Sequence, residues 1–310
     1  MLKNKKILVF MVVVLSAFAL SACSTGTTDK SSTDKSSDGS SVVADAVNSF
    51  YANMPDDINK IDQVAFVDKV KAGDSMTILD IRSADAYAEG HIKGAISMPW
   101  GPKLADDLTK IPNDKPVMIY CVTGQTAGQT VALLNIAGFD AKSVNLGWNL
   151  GISKVEGVDA VIDKTPTEFD ASVDTKIDPD IQKAIENYYA GLETATNKNY
   201  KISEDDAKKA LDEKNATVAF LDVRKADDYA KGHIEGAVNI PFGKGMEEQF
   251  STLPMDKTII VYCYTGQTAG QTVAGLRLLG YDAVSLNSGT GTAATGTSGW
   301  TNKGYPLVTN

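Results

Sequence analysis

The 310-residue chain is poor in the residues that most often mark a site: it has three cysteines, two histidines and three arginines. Two histidines cannot build a zinc cluster, and none is to spare for a Cys-His-Asn triad with separate partners, so no metal and no cofactor is expected. One cysteine lies near the N-terminus, which leaves Cys121 and Cys263 for the rest of the chain, one in each half. No disulfide can therefore form within either half. Few arginines go with a formal charge of −9, a balance that argues against nucleic acid as a partner. Long apolar runs are scarce as well. The longest, Ile7 to Leu20, falls short of the roughly 20 residues with which a helix spans a bilayer.

That run follows Lys3, Lys5 and Lys6 and precedes Leu20-Ser21-Ala22-Cys23, with small residues before the cysteine. It resembles a bacterial lipoprotein signal, which implies acylation of Cys23 and a lipid anchor on an extracytoplasmic membrane face. An ordinary cleaved signal peptide or an uncleaved anchor are the alternatives. Loss of residues 1–22 takes the formal charge to about −12. Residues 23–41, rich in Ser, Thr, Asp, Lys and Gly after the cysteine, read as a flexible tether.

What the chain does have, it has twice. Tyr120 to Ala132 reads YCVTGQTAGQTVA and Tyr262 to Ala274 reads YCYTGQTAGQTVA, with twelve of thirteen positions identical. Asp80 and Asp222, His91 and His233, and Cys121 and Cys263 are all separated by 142 residues, so two copies of one domain are present, at 42–161 and 181–310. Each is preceded by an aromatic helical segment, AVNSFY or AIENYY. The stretch 162–180, with Pro166 and Pro179, reads as the linker between them.

Within a copy, short runs rich in Val, Ile and Leu (Met76 to Ile81, Ala95 to Met98, Val117 to Tyr120, Lys142 to Leu146) read as strands buried on both faces. Helices are expected at Ala84 to Glu89, Lys103 to Lys110 and Thr126 to Ala137, the last stopped by Gly138-Phe139 as Gly280-Tyr281 stops its twin. Alternation of this kind implies parallel strands joined by right-handed crossovers, an α/β domain with helices on both faces of the sheet.

In such a sheet a ligand sits beyond the carboxyl ends of the strands, where both cysteines are expected. The loops Cys121, Val122, Thr123, Gly124, Gln125, Thr126 and Cys263, Tyr264, Thr265, Gly266, Gln267, Thr268 then turn from strand to helix. Such a turn aims backbone N–H groups and a helix N-terminus at its centre, and so favours thiolate over thiol in the sulfur that occupies it. A buried cysteine acting as a small hydrophobe is the plainer alternative. Against it, an exported protein uses cysteines mostly in pairs, and here two unpaired ones recur at one position.

Upstream of the loops lie LDIRSADAYAEGHIKGAISMP (Leu79 to Pro99) and LDVRKADDYAKGHIEGAVNIP (Leu221 to Pro241). With the cysteine loop, the Asp-x-Arg strand end and the Gly-His-Ile-x-Gly-Ala segment resemble the rhodanese family over nearly the whole of both copies. The resemblance implies two tandem rhodanese-like domains and a sulfurtransferase. In that family a cysteine thiolate takes the outer sulfur of a small anion such as thiosulfate, holds it as a persulfide and yields it to cyanide or a thiol. By position the nucleophiles would be Cys121 and Cys263. Related phosphatases and arsenate reductases bind their oxyanions with a longer loop closed by arginine, which is missing here.

Many rhodaneses carry a basic residue late in the loop, where this chain has Thr126 and Thr268. Lys103 and Lys244, on the loops leaving another strand end, are candidates to replace that charge. Arg82 and Arg224 either raise the local potential for an anion or form ion pairs with Asp85 and Asp227, or with a carboxylate further along. His91 and His233 are expected to tie their Gly-His-Ile turns to nearby backbone. Asn145-Leu146-Gly147-Trp148 aligns with Asn287-Ser288 through Gly299-Trp300, and the intervening Gly/Thr-rich stretch forms either a rim over Cys263 or a surface insertion. A persulfide carrier without turnover and a thiol redox protein remain as other classes, although no Cys-x-x-Cys supports the second.

Overall fold

The computed structural model describes residues 39–309. The expected signal segment, Cys23 and the tether as far as Asp38 lie outside them. Among the described residues no helix is long and apolar enough to cross a membrane.

The first copy runs α1 (Gly39–Ala52), β1 (Lys60–Ile61), α2 (Gln63–Ala72), β2 (Thr77–Asp80), α3 (Ala84–Glu89), β3 (His91–Ile92), β4 (Ala95–Ser97), α4 (Pro102–Asp106), β5 (Val117–Tyr120), α5 (Gln125–Ile136), β6 (Ala141–Val144) and β7 (Ile162–Asp163). The second runs α6 (Pro179–Ala190), β8 (Lys201–Ile202), α7 (Glu204–Asp212), β9 (Val218–Asp222), α8 (Ala226–Lys231), β10 (Val238–Asn239), β11 (Thr258–Tyr262), α9 (Gln267–Leu278) and β12 (Ala283–Leu286). Two five-stranded sheets result, ordered β1-β6-β5-β2-β4 and β8-β12-β11-β9-β10, with every neighbouring pair parallel. Central strands β2, β5 and β11 are buried along nearly their whole length, as apolar strands covered on both faces must be.

Several boundaries differ from the sequence reading. Helix α1 begins at Gly39, inside the stretch assigned to the tether. Helices α2 and α7 and the two-residue strands before them add to the elements read from sequence: α2 has only weak apolar periodicity, and α7 is dominated by charged residues with few apolar ones to mark it. Their starts are nonetheless capped: Asp62 accepts from the N–H groups of Val64 and Ala65, and Ser203 from that of Asp206. The stretch read as a linker closes the first copy instead. Ile162–Asp163 pairs antiparallel with His91–Ile92, Thr165 O faces the His91 ring, and Thr175 bonds Thr109 and Ile111. Val308 bridges His233 in the second copy in the same way, so the two endings correspond.

Each sheet has a private core on one face, built around Phe66 and Ile92 in the first copy and around Ile234 and Trp300 in the second. The other faces share a single core that draws on both copies, from Val47 and Leu79 to Val261 and Leu276. Leading helices cross over to make it. Tyr51 of α1 packs edge-on against Phe242 and Phe250 and donates its hydroxyl to Gln271 O at 3.1 Å. Tyr189 of α6 meets Trp100 and Thr130 of the first copy.

At the centre α5 lies against α9, and the contact is backbone to backbone. A Cβ on Gly128 would stand 2.2 Å from Gln267 O, and one on Gly270 would stand 2.5 Å from Gln125 O. Neither glycine position has room for a side chain. Replacing Gly128 with Ala should therefore lower stability by about 1–3 kcal/mol through overpacking, despite alanine's better helix propensity. Urea denaturation checks this, and an unchanged midpoint would mean that the helices separate at no cost.

Candidate active site

Both cysteines lie at the carboxyl end of the central strand of their sheets, on the last residue before the turn into α5 or α9. The turn closes on the sulfur. Gly124 N donates to Cys121 Sγ at 3.1 Å and Ala127 N at 3.4 Å; Gly266 N and Ala269 N donate to Cys263 Sγ at 3.1 and 3.5 Å. Gly124 and Gly266 reach this geometry at φ of 92° and 90°, a region that favours glycine. Two N–H groups and a helix N-terminus aimed at one sulfur stabilise negative charge there.

A second turn presses on each loop from behind. Trp148 N and Thr290 N donate to the carbonyls of Cys121 and Cys263, each at 2.8 Å. Gly147 and Gly289, at φ of 59° and 57°, sit so close that a Cβ would meet the cysteine carbonyl at 2.5 or 2.2 Å. This corrects the alignment read from sequence: Gly147-Trp148 corresponds to Gly289-Thr290 and not to Gly299-Trp300. The residues after Thr290 form a local knot, in which Thr295 and Asn302 bond one another and Gly299 N donates to Glu204, and Trp300 is displaced into the private core. The insert does not line the cavity at Cys263.

That cavity, of about 520 Å³, is walled on one side by Cys263, Tyr264, Thr265, Gln267 and Thr268 and on another by Val223, Lys225 and Phe242. The remaining wall comes from the first copy: Ile58, Lys60, Asp62, Gln63, Asn145 and Leu146. Sequence reading found the loop residues and missed that wall, since spacing within a copy carries no information about the other copy's surface. Lys244 is exposed and does not line the cavity, and Lys103 is exposed on the first copy. Burial lowers the pKa of Lys60, against a smaller opposing effect of Cys263. Tyr264 is pushed up to about 12 by burial and by its hydrogen bond to Asp228, so it stays neutral at ordinary pH.

Gln125 and Gln267 do not turn toward their own sulfurs. Gln125 Nε2 donates to Ser285 Oγ at 2.6 Å and Leu286 O at 3.1 Å, and Gln267 Nε2 to Ser143 Oγ at 2.6 Å and Val144 O at 3.3 Å. Each glutamine thus ties its loop to the strand end of the opposite sheet. Phe242 lines the Cys263 cavity, whereas its counterpart Trp100 donates from its indole to Asn199 Oδ1 at 3.0 Å.

Arg82 and Arg224 take another partner than the nearby Asp85 and Asp227. Arg82 grips Asp80 through Nε (3.0 Å) and a terminal nitrogen (2.6 Å), which also donates to Gly90 O; Arg224 repeats this with Asp222 and Gly232 O. Both aspartates are fully buried, and Arg224 does not line the cavity. Burial works to lower the Arg224 pKa, but the Asp222 hydrogen bonds and charge outweigh it. Burial, reinforced by the aspartate charge, raises the hydroxyls of Tyr120 and Tyr262, which accept from Ile92 N and Ile234 N. His91 stacks on Tyr87 at 3.7 Å with its ring nitrogens facing the carbonyls of Tyr87 and Thr165, and His233 stacks on Tyr229 at 3.9 Å.

The family model for the rhodanese-like domain matches residues 63–153 and 203–293. Among curated proteins, the chain is 39% identical over 67 residues to the thiosulfate sulfurtransferase PspE of Escherichia coli, covering 21% of this chain and 64% of that protein. It is 28% identical over 82 residues to a sulfurtransferase of Allochromatium vinosum, covering 26% and 76%. Among solved structures, SseA of Escherichia coli, described as a 3-mercaptopyruvate sulfotransferase, aligns at 18% identity over 74% of this chain and 98% of its own, with a TM-score of 0.34.

The buried pairs generate a stability prediction. Arg224→Met should cost about 3–5 kcal/mol, because it strands the Asp222 carboxylate in the core, while Asp222→Leu with Arg224→Met should recover much of the loss. Urea midpoints of the two variants decide it; equal destabilisation would show that the pair acts through shape alone.

Proposed function

The chain belongs to the rhodanese-like domain family, and on that premise we propose that it is an extracytoplasmic sulfurtransferase. It takes a sulfane sulfur from a small anionic donor of the thiosulfate type and passes it to cyanide or a thiol. The observation that carries this reading is the sulfur of Cys263, held by the N–H groups of Gly266 and Ala269 at the wall of a cavity that also contains Lys60 and Lys225.

The Cys263 thiolate attacks the outer sulfur of thiosulfate, a new S–S bond forms, and the donor's own S–S bond breaks, its electron pair leaving with sulfite. Cys263 then carries a persulfide. An acceptor lone pair attacks the terminal sulfur and departs as thiocyanate or a new persulfide, and the thiolate returns. Negative charge sits on sulfur before and after transfer, and the two backbone donors stabilise it throughout at no cost of reorganisation. Cys121, with the same pair of donors, is the second persulfide site. The cavity that Cys263 lines favours it for turnover.

Thiocyanate formation from thiosulfate and cyanide, with intact mass of the full-length protein, tests this. Cys263→Ser should remove most turnover and one added sulfur atom, Cys121→Ser a smaller part. Persulfide without thiocyanate would instead select a carrier, and neither would refute the reading for thiosulfate. Lipid attachment at Cys23 completes the proposal: Cys23→Ser should move the protein from the membrane fraction of a bacterial host to the soluble one, and retention in the membrane would sink the anchor.

A further inference from the structure

We propose that Lys60, from the first copy, is the anion-holding group of the Cys263 site, so that this site is complete only when the two copies are packed together. The inference rests on the reading of Cys263 as the reacting sulfur and adds the residue that receives the charged part of its substrate.

The loop itself carries no cation, yet every anionic sulfur donor must approach a negatively charged nucleophile. Two lysines line the cavity. Lys225 is exposed, whereas Lys60 is partly buried. The backbone holds Lys60 there. Strand β1 pairs Lys60 with Ser143, the residue whose hydroxyl accepts from Gln267 of the cysteine loop. Just before it, Ile58 and Asn59 turn at φ of 50° and 54°, a conformation costly for a β-branched residue. Gln271 of α9 pays that turn back by donating its Nε2 to Ile58 O at 3.1 Å. The second copy thus grips the segment that carries the lysine into its own cavity.

The Lys60 ammonium has no ion-pair partner among the described residues. Asp62, the carboxylate in the same wall, caps α2 through Oδ1 and is not ion-paired with Lys60. Lysine in this setting is a compact point charge on a long stem, able to follow an anion from its bound position to its departure. A cation held in a partly desolvated wall interacts with an anion more strongly than one in bulk water.

The test reads charge at the sulfur without requiring sulfur transfer. In full-length protein, alkylation of the Cys263 peptide is followed by mass spectrometry with iodoacetate, which is anionic, and iodoacetamide, which is neutral. The ratio of the two rates should fall at least about threefold in Lys60→Met, return in Lys60→Arg, and hold in Lys244→Met. Circular dichroism confirms that each variant is folded. In parallel the thiosulfate KM should rise in Lys60→Met more than kcat falls. An unchanged alkylation ratio in folded Lys60→Met overturns the assignment. A lowered ratio in a protein without thiosulfate turnover would uphold Lys60 and reject thiosulfate as the donor, so the two readings fail separately.

Discussion

The close approach of α5 and α9 is the constraint on which the rest of the molecule depends. Gly128 and Gly270 bring each helix against the carbonyl of a glutamine at the start of the other, nearer than any side chain would allow. Both helices begin at a cysteine loop, so the same contact places each loop beside the opposite copy. Gln125 and Gln267 then reach across to the ends of the opposite sheets. The shared core forms around this crossing, with the leading helices exchanged over it. A domain built to bind on its own would need its cavity wall within one copy; here the wall is borrowed.

The chemistry rests on backbone dipoles in place of charged side chains. Two N–H groups donate to each sulfur without adding a fixed cation beside it. Arginine is the usual partner for oxyanions, but Arg82 and Arg224 are committed to buried aspartates that brace the strand ends. A full charge pair in a core is seldom worth more than an apolar packing of the same shape. Its geometry is specific, however: one guanidinium joins the strand end, the aspartate and the Gly-His-Ile turn, which fixes the floor on which the cysteine loop stands.

Two near-identical loops occupy unequal surroundings. Tyr264 replaces Val122 at the only position where the repeated loop segments differ, and its hydroxyl is bound to Asp228. Trp148 lies over Arg82 at 3.9 Å, while Thr290 takes its place in the second copy and donates its hydroxyl to Cys263 O. Trp100 is pinned to Asn199, where Phe242 lines a cavity. Duplication kept the groups that touch sulfur and let the groups that shape access diverge.

Much of this was legible in the chain itself. The repeat, the strand–helix alternation, the cysteine at a strand end and the glycines that let backbone N–H groups close on sulfur all follow from local patterns, because φ/ψ preferences and the periodicity of burial act between near neighbours. Strand Val117–Tyr120 and helix Ala84–Glu89 fall where periodicity puts them. Other features were decided only by tertiary structure. Arg82 chose Asp80 over Asp85 because a strand end points both groups inward. Gly147 matched Gly289 because the cysteine carbonyl leaves no room for a Cβ. Lys60 entered the site of the other copy through a helix crossing that no spacing encodes. Local patterns thus set what the sulfur can be, and packing between distant segments set what surrounds it, since a wall made by one copy for another exists only once their surfaces meet.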